Sequence, residues 1–235
     1  MGQSVHAGVS AQLGGHGVGE LGVDDGDIRG DVEVGQRVLD ALGVVGDDGE
    51  GSDLGSGTGG RGAAFEKCTY LSIGVKEATD QAEAAKYLST LPYVDGSRIG
   101  IWGWSYGGYN TLMSMSEGSG AFKAGVAIAA PTDWRFYDSV YTERFMRTPK
   151  ENGDGYQASS AINRASKLKG KLLLIHGSAD DNVHLQNFME YSEALVQANI
   201  QFDTQIYTNR NHSIFGGNTR NHLMNRVANF FLQNL

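Results

Sequence analysis

From about residue 66 onward, apolar positions recur at two spacings, and the switching between them outlines the elements. Val75, Ala78, Ala82, Ala85 and Leu88 repeat every three or four residues, with Glu77, Asp80, Glu83 and Lys86 on other faces. This predicts a helix that stops near Leu91, ahead of Pro92. Arg98-Ile-Gly-Ile-Trp102 then reads as a short buried strand, 106–117 as a helix, and 124–130 as a second buried strand closed by Pro131. The period is lost over 132–168, a stretch rich in Tyr, Arg and Asn, where short helices are expected near 136–146 and 157–167. Lys171-Leu-Leu-Leu-Ile-His176 is the clearest strand; a helix at about 184–198, a strand at 203–208 and a helix near 219–233 complete the pattern. Strands alternating with helices imply an α/β domain, its parallel sheet covered on both faces.

The first 57 residues follow neither spacing, apart from a stripe at Val34, Val38, Leu42 and Val45 that ends in glycines. They contain no Phe, Trp, Tyr, Pro, Cys, Asn or Lys, yet hold 16 of the 34 glycines. Such a segment cannot bury enough apolar area to offset backbone ordering, at roughly 1–2 kcal/mol per residue. The expected organisation is therefore a disordered segment over 1–57 and a folded domain over 58–235. The alternation of Gly, Val, Asp and Ala also resembles a GC-rich sequence read in the wrong frame, the other reading being a flexible acidic linker.

Charge follows the same division. Residues 1–57 carry 11 acids against 2 arginines, so the formal net charge of −8 belongs to this segment and the remainder is close to neutral. That remainder gives no reason to expect nucleic acid as a partner. Met1 is not followed by a basic stretch and an apolar run, and no apolar run approaches the ~20 residues of a membrane span. The single cysteine, Cys68, cannot form an internal disulfide.

The chemistry concentrates at Gly103-Trp-Ser105-Tyr-Gly107, which fits G-x-S-x-G and falls between a predicted strand and a predicted helix. A serine on such a tight turn is lifted above the sheet, and the helix that follows offers free N–H groups to an oxyanion, the amide of Tyr106 among them. A serine needs a base, and the base an orienting acid. Asp180 lies four residues past the 171–176 strand and His212 four past the 203–208 strand, in the chain order Ser, Asp, His of an α/β-hydrolase fold. Asp181 is the alternative acid. His176 reads as structural, and His184 and His222 as surface or packing residues. His176, Asp180 and His184 could also be read as a metal cluster, but no cysteine or third histidine completes it. No metal or cofactor is expected. Gly57-Thr-Gly-Gly-Arg-Gly62 lacks the Lys-Ser/Thr of a phosphate loop and reads as a close-packing turn.

Three stretches carry a resemblance: Gly103-Trp-Ser-Tyr-Gly-Gly108, Trp134-Arg-Phe-Tyr-Asp-Ser-Val-Tyr-Thr-Glu-Arg144 and His176-Gly-Ser-Ala-Asp-Asp-Asn-Val183. Together with Thr58–Phe65 they resemble the catalytic domain of the dipeptidyl peptidase IV group within the prolyl oligopeptidase family. The resemblance implies a partial α/β-hydrolase domain and an exopeptidase that removes Xaa-Pro or Xaa-Ala dipeptides from a free N-terminus. It also implies that Tyr106, Trp134, Tyr137, Tyr141 and Val183 wall the pocket for the proline ring and that Asn182 contacts the substrate carbonyl. A flat, rigid ring suits an aromatic slot, although ordinary core packing would equally explain the aromatics. Family members carry a β-propeller, an acidic pair for the substrate amine and an earlier tyrosine that donates to the oxyanion. None of these is seen here, so a fragment, inactive as it stands, is one expectation. A different α/β-hydrolase activity (acylaminoacyl-peptidase, prolyl endopeptidase or esterase) is another. By resemblance, a homodimer and a periplasmic, secreted or cell-surface location are expected.

Overall fold

The computed structural model describes residues 6–13, 44–45, 56–57 and 62–235. The stripe through Val34, Val38 and Leu42 and most of the glycine loop at 58–61 lie outside these residues. A six-stranded sheet runs in the order β2-β1-β3-β4-β5-β6, with β1 at His6–Leu13, β2 at Val44–Val45, β3 at Val94–Trp104, β4 at Ala124–Ile128, β5 at Lys171–Gly177 and β6 at Asp203–Tyr207. Strands β3 to β6 are mutually parallel, and β1 pairs antiparallel with β3 along most of its length.

That pairing accounts for two differences from the sequence reading. Strand β3 extends beyond 98–102 at both ends, because β1 pairs with it from Ile99 to Trp104 and, past a shift of register, at Val94. An edge left bare would present a row of unpaired N–H and C=O groups. Here two stretches of the acidic N-terminal segment, β1 and β2, continue the sheet on that side, which its composition did not suggest.

Why the parallel strands read as unbroken apolar runs is visible in their two faces. In β5, Leu172 and Leu174 join one core while Leu173 and Ile175 join the other. In β3 the same alternation sends Ile99 and Ile101 to the first core and Trp102 to the second. A strand covered on both sides has no polar face to show.

Helices α1 (Ala63–Glu66), α2 (Val75–Leu88) and α3 (Tyr106–Met115) come early in the chain. After them come α4 (Ser139–Met146), α5 (Gly153–Ala158), α6 (Ala161–Arg164), α7 (Gln186–Gln197) and α8 (Thr219–Asn234). The first core is closed by Ala78 and Ala85 of α2, Leu112 and Met115 of α3, and Phe188, Tyr191 and Leu195 of α7. The second is closed by Leu223, Val227, Phe230 and Phe231 of α8. Consecutive parallel strands advancing in one direction, with the right-handed crossovers usual for such sheets, put the intervening helices on one face, and only the helix after the last strand packs on the other. The periodic helices match their expected spans to within two residues at most ends. Glu77, expected on a face other than the apolar one, is nonetheless buried.

Candidate active site

Strand β3 delivers the serine. Ser105 stands between β3 and α3 with φ 56° and ψ −119°, a conformation that costs on the order of 1–3 kcal/mol for a residue with a side chain. Two hydrogen bonds hold it there: Ser105 N donates to Ile128 O at 2.8 Å, and Tyr109 N donates to Ser105 O at 3.0 Å. The flanking glycine is dictated by packing, since a Cβ on Gly103 would stand 2.2 Å from the backbone of Gly107. Tyr106 opens α3, so its amide is among the first-turn N–H groups that no helical carbonyl satisfies.

The acid sits in the loop after β5. Asp180 Oδ1 accepts from the amides of Asn182 (3.0 Å) and Val183 (2.9 Å), and Oδ2 accepts from His212 Nδ1 at 2.8 Å. Its side chain is fully buried, whereas that of His212 keeps 15% exposure. With Nδ1–H bound to the carboxylate, Nε2 is left as the basic nitrogen. The adjacent Asp181 is exposed and lines a cleft of about 610 Å³ together with Arg135, Tyr137, Asp138, Asn182 and His184. Asp180, not its neighbour, is the partner of the imidazole.

The loops that carry acid and base are joined to one another. Ser178 N donates to Tyr207 O at 3.0 Å, Ala179 N to Arg210 O at 3.0 Å, and Asn209 N to Ser178 Oγ at 2.8 Å. Gly177 permits this approach, because a Cβ there would stand 2.3 Å from Arg210 O. A further bond ties the base loop to the elbow: Trp104 Nε1 donates to His212 O at 2.9 Å. The Arg220 guanidinium lies 4.6 Å over the Trp104 ring and bonds Ser213 O. Among the described residues the Ser105 hydroxyl has no hydrogen-bond partner, His212 included.

His176 lies behind the acid. Its Nε2 is 2.8 Å from Val183 O and 3.4 Å from Asp180 Oδ2, so the proton is on Nε2, donated to the carbonyl. Burial holds its pKa below the ordinary 6.5, the Val183 carbonyl and Asp180 opposing. His222 is bonded to the Tyr207 hydroxyl at 2.8 Å, and His184 lies on the cleft. Among the described residues no group of three or more His, Cys, Asp or Glu side chains is arranged to hold a metal, so His176, Asp180 and His184 do not form such a cluster.

The aromatic residues gather beside the elbow. Trp134 is buried and lies 5.7 Å from Tyr106, 5.9 Å from Tyr137 and 5.7 Å from Tyr141, stacked on the last. Local capping sets these positions. Asp133 accepts from Arg135 N at 2.9 Å and starts the short 3-10 turn at Trp134–Phe136; Asp138 accepts from Tyr141 N at 2.8 Å and starts α4. Tyr137 Oη donates to Asn182 Oδ1 at 2.8 Å, joining the aromatic wall to the loop after β5, in which Val183 is fully buried. Three contacts in this region were not signalled by any motif: the Trp104 tie, the approach of His176 to Asp180, and a 2.8 Å bond from Tyr106 Oη to Glu77 Oε1.

The profile of the prolyl oligopeptidase family matches residues 55–235. A crystal structure of Porphyromonas gingivalis dipeptidyl peptidase 4 superposes with a TM-score of 0.76 at 65% identity, covering 77% of this chain and 26% of that one. Dipeptidyl peptidase 4 of Felis catus is 44% identical over 182 residues, 76% of this chain and 24% of its own. The mouse prolyl endopeptidase FAP is 40% identical over the same length. The chain thus spans about a quarter of the relatives it matches. Likeness in both sequence and backbone over this whole folded stretch settles the assignment: the chain belongs to the prolyl oligopeptidase family.

Proposed function

We propose that this chain carries the acyl-transfer centre of a serine dipeptidyl peptidase, releasing Xaa-Pro or Xaa-Ala from a free peptide N-terminus. The observation that carries the reading is the 2.8 Å bond from His212 Nδ1 to the buried Asp180, one hydrogen bond away from the strand end that presents Ser105. In this reading His212 Nε2 takes the Ser105 proton as Oγ attacks the scissile carbonyl. The tetrahedral oxyanion is met by the Tyr106 amide, and the leaving amine receives the proton back. Water, activated by the same imidazole, then cleaves the acyl-enzyme ester and frees the dipeptide. Asp180 fixes the tautomer and stabilises the imidazolium. The Ser105–His212 contact is formed as substrate binds; such bonds are commonly loose in the unliganded state.

The pocket assignment rests on Tyr106, Trp134, Tyr137 and Tyr141, whose neighbouring rings pack in contact at 5.5–5.9 Å between centres as one aromatic wall, and on the buried Val183 that follows Asn182 in the loop after β5. In this reading a pyrrolidine ring lies against that wall, and Asn182, bonded to Tyr137, meets the substrate carbonyl. The test is turnover of Gly-Pro-p-nitroanilide against Gly-Leu-p-nitroanilide. The reading expects cleavage of the prolyl compound and little of the leucyl one. Equal cleavage of both, or cleavage of simple esters alone, would refute it.

A further inference from the structure

Acyl transfer leaves one buried acid without a task. Glu77, the third residue of α2, is 9% exposed and accepts the Tyr106 hydroxyl at 2.8 Å through Oε1. Its Oε2 is buried without a hydrogen-bond partner. Burial raises its pKa; the main-chain N–H dipoles of Glu77 and Gly74 and the Tyr106 hydroxyl oppose the rise. An acid is costly to bury unless something depends on its position. What Glu77 holds is a side chain with two duties: the Tyr106 ring stands 5.7 Å from Trp134 and 5.5 Å from Tyr109, and the Tyr106 amide is the helix-start N–H next to Ser105.

We propose that Glu77 is a positioning residue for substrate preference, pinning the Tyr106 ring so that the aromatic wall keeps the shape it offers to a five-membered ring. The inference rests on the acyl-transfer reading given above and deepens it. A rigid ring in contact with several walls feels a displacement of one of them, whereas an alanyl methyl, touching fewer, does not. Loss of the Glu77 acceptor therefore penalises prolyl acyl groups selectively.

The test compares p-nitrophenyl esters of proline and alanine, which any active Ser105 centre can hydrolyse, in wild type, Glu77→Gln, Glu77→Leu, Tyr106→Phe and the Glu77→Leu/Tyr106→Phe double variant. Glu77→Leu is expected to lower the prolyl-to-alanyl ratio of kcat/KM about tenfold, as loss of one hydrogen bond to a charged group allows. Glu77→Gln keeps an acceptor and stays within about twofold of wild type. Tyr106→Phe matches Glu77→Leu, and the double variant loses no more than either. An unchanged ratio in folded Glu77→Leu, a glutamine no better than leucine, or single effects that multiply in the double variant would each overturn the proposal. If thermal melts show Glu77→Leu unfolded, Glu77→Gln placed in the Tyr106→Phe background decides: it must add nothing. Failure of the wild type on Gly-Pro-p-nitroanilide would count against the peptidase reading, while the ester ratio still scores Glu77.

Discussion

The Trp104 indole N–H and the His212 carbonyl, 108 positions apart in the chain, are joined by a 2.9 Å hydrogen bond. The residue before Ser105 thereby anchors the residue that bears the proposed base, and this contact joins the strand end directly to the loop that Asp180, Ser178 and Arg220 also hold. Trp104→Phe removes the donor and keeps an aromatic ring beneath Arg220. We expect fluorophosphonate labelling of the protein to slow about tenfold, with a stability loss near 1 kcal/mol. A labelling rate equal to wild type would show that the tie does not position the base.

Asp180 accepts two amides through Oδ1 and the imidazole through Oδ2, while Asp181 is exposed. Asp180→Asn keeps the shape but forces the wrong imidazole tautomer, and ester turnover should fall on the order of 10⁴-fold. Asp181→Asn, a surface change, should stay within about threefold. Comparable losses in the two variants would contradict the geometry.

Two buried groups give stability opposite slopes with pH. His176 has a native pKa below 6.5, so the unfolded chain binds the proton first as pH falls. Its contribution is complete above 6.5, shrinks as pH drops toward the native value, and then levels. Glu77 has a native pKa above 4.5, so its contribution is complete below 4.5 and is lost as pH rises through the native value. The melting-temperature difference between wild type and His176→Gln should therefore narrow from pH 8 to pH 5. Glu77→Gln should gain on wild type as pH rises above 4.5. Differences that are flat with pH would refute both assignments.

Asp138 lines the cleft next to Tyr137 and caps the helix that carries Tyr141. Asp138→Ala should cost about 1 kcal/mol of stability. Through a looser Tyr141 it should also raise KM for prolyl substrates with kcat little changed. A fall in kcat at constant KM would place the effect elsewhere.

The parts of this molecule that sequence made legible are those where one residue type is compulsory. The elbow needs glycine at 103 because the helix backbone passes within contact of it, and the strand, turn and helix around Ser105 leave a pattern as a consequence. That Asp180 and His212 would meet was legible because each follows a strand by a short loop at the same sheet edge. Glu77 was misjudged because an acid in the first turn of a helix ordinarily serves the helix dipole in water, and nothing nearby in sequence indicates that Tyr106 lies above it. The length of β3 was underestimated for a related reason: its ends are fixed by backbone pairing to β1, which requires no apolar side chain. Contacts such as Trp104 to His212 join a side chain to a carbonyl, and a carbonyl has no residue identity to read.

The central claim is that Ser105 is the nucleophile and His212 its base. Mass spectrometry of tryptic peptides after reaction with a fluorophosphonate tests it directly. A single adduct on the peptide bearing Ser105, absent in Ser105→Ala and suppressed in His212→Ala, is the result this account predicts. Modification of a different serine, or labelling that survives loss of the imidazole unchanged, would contradict it.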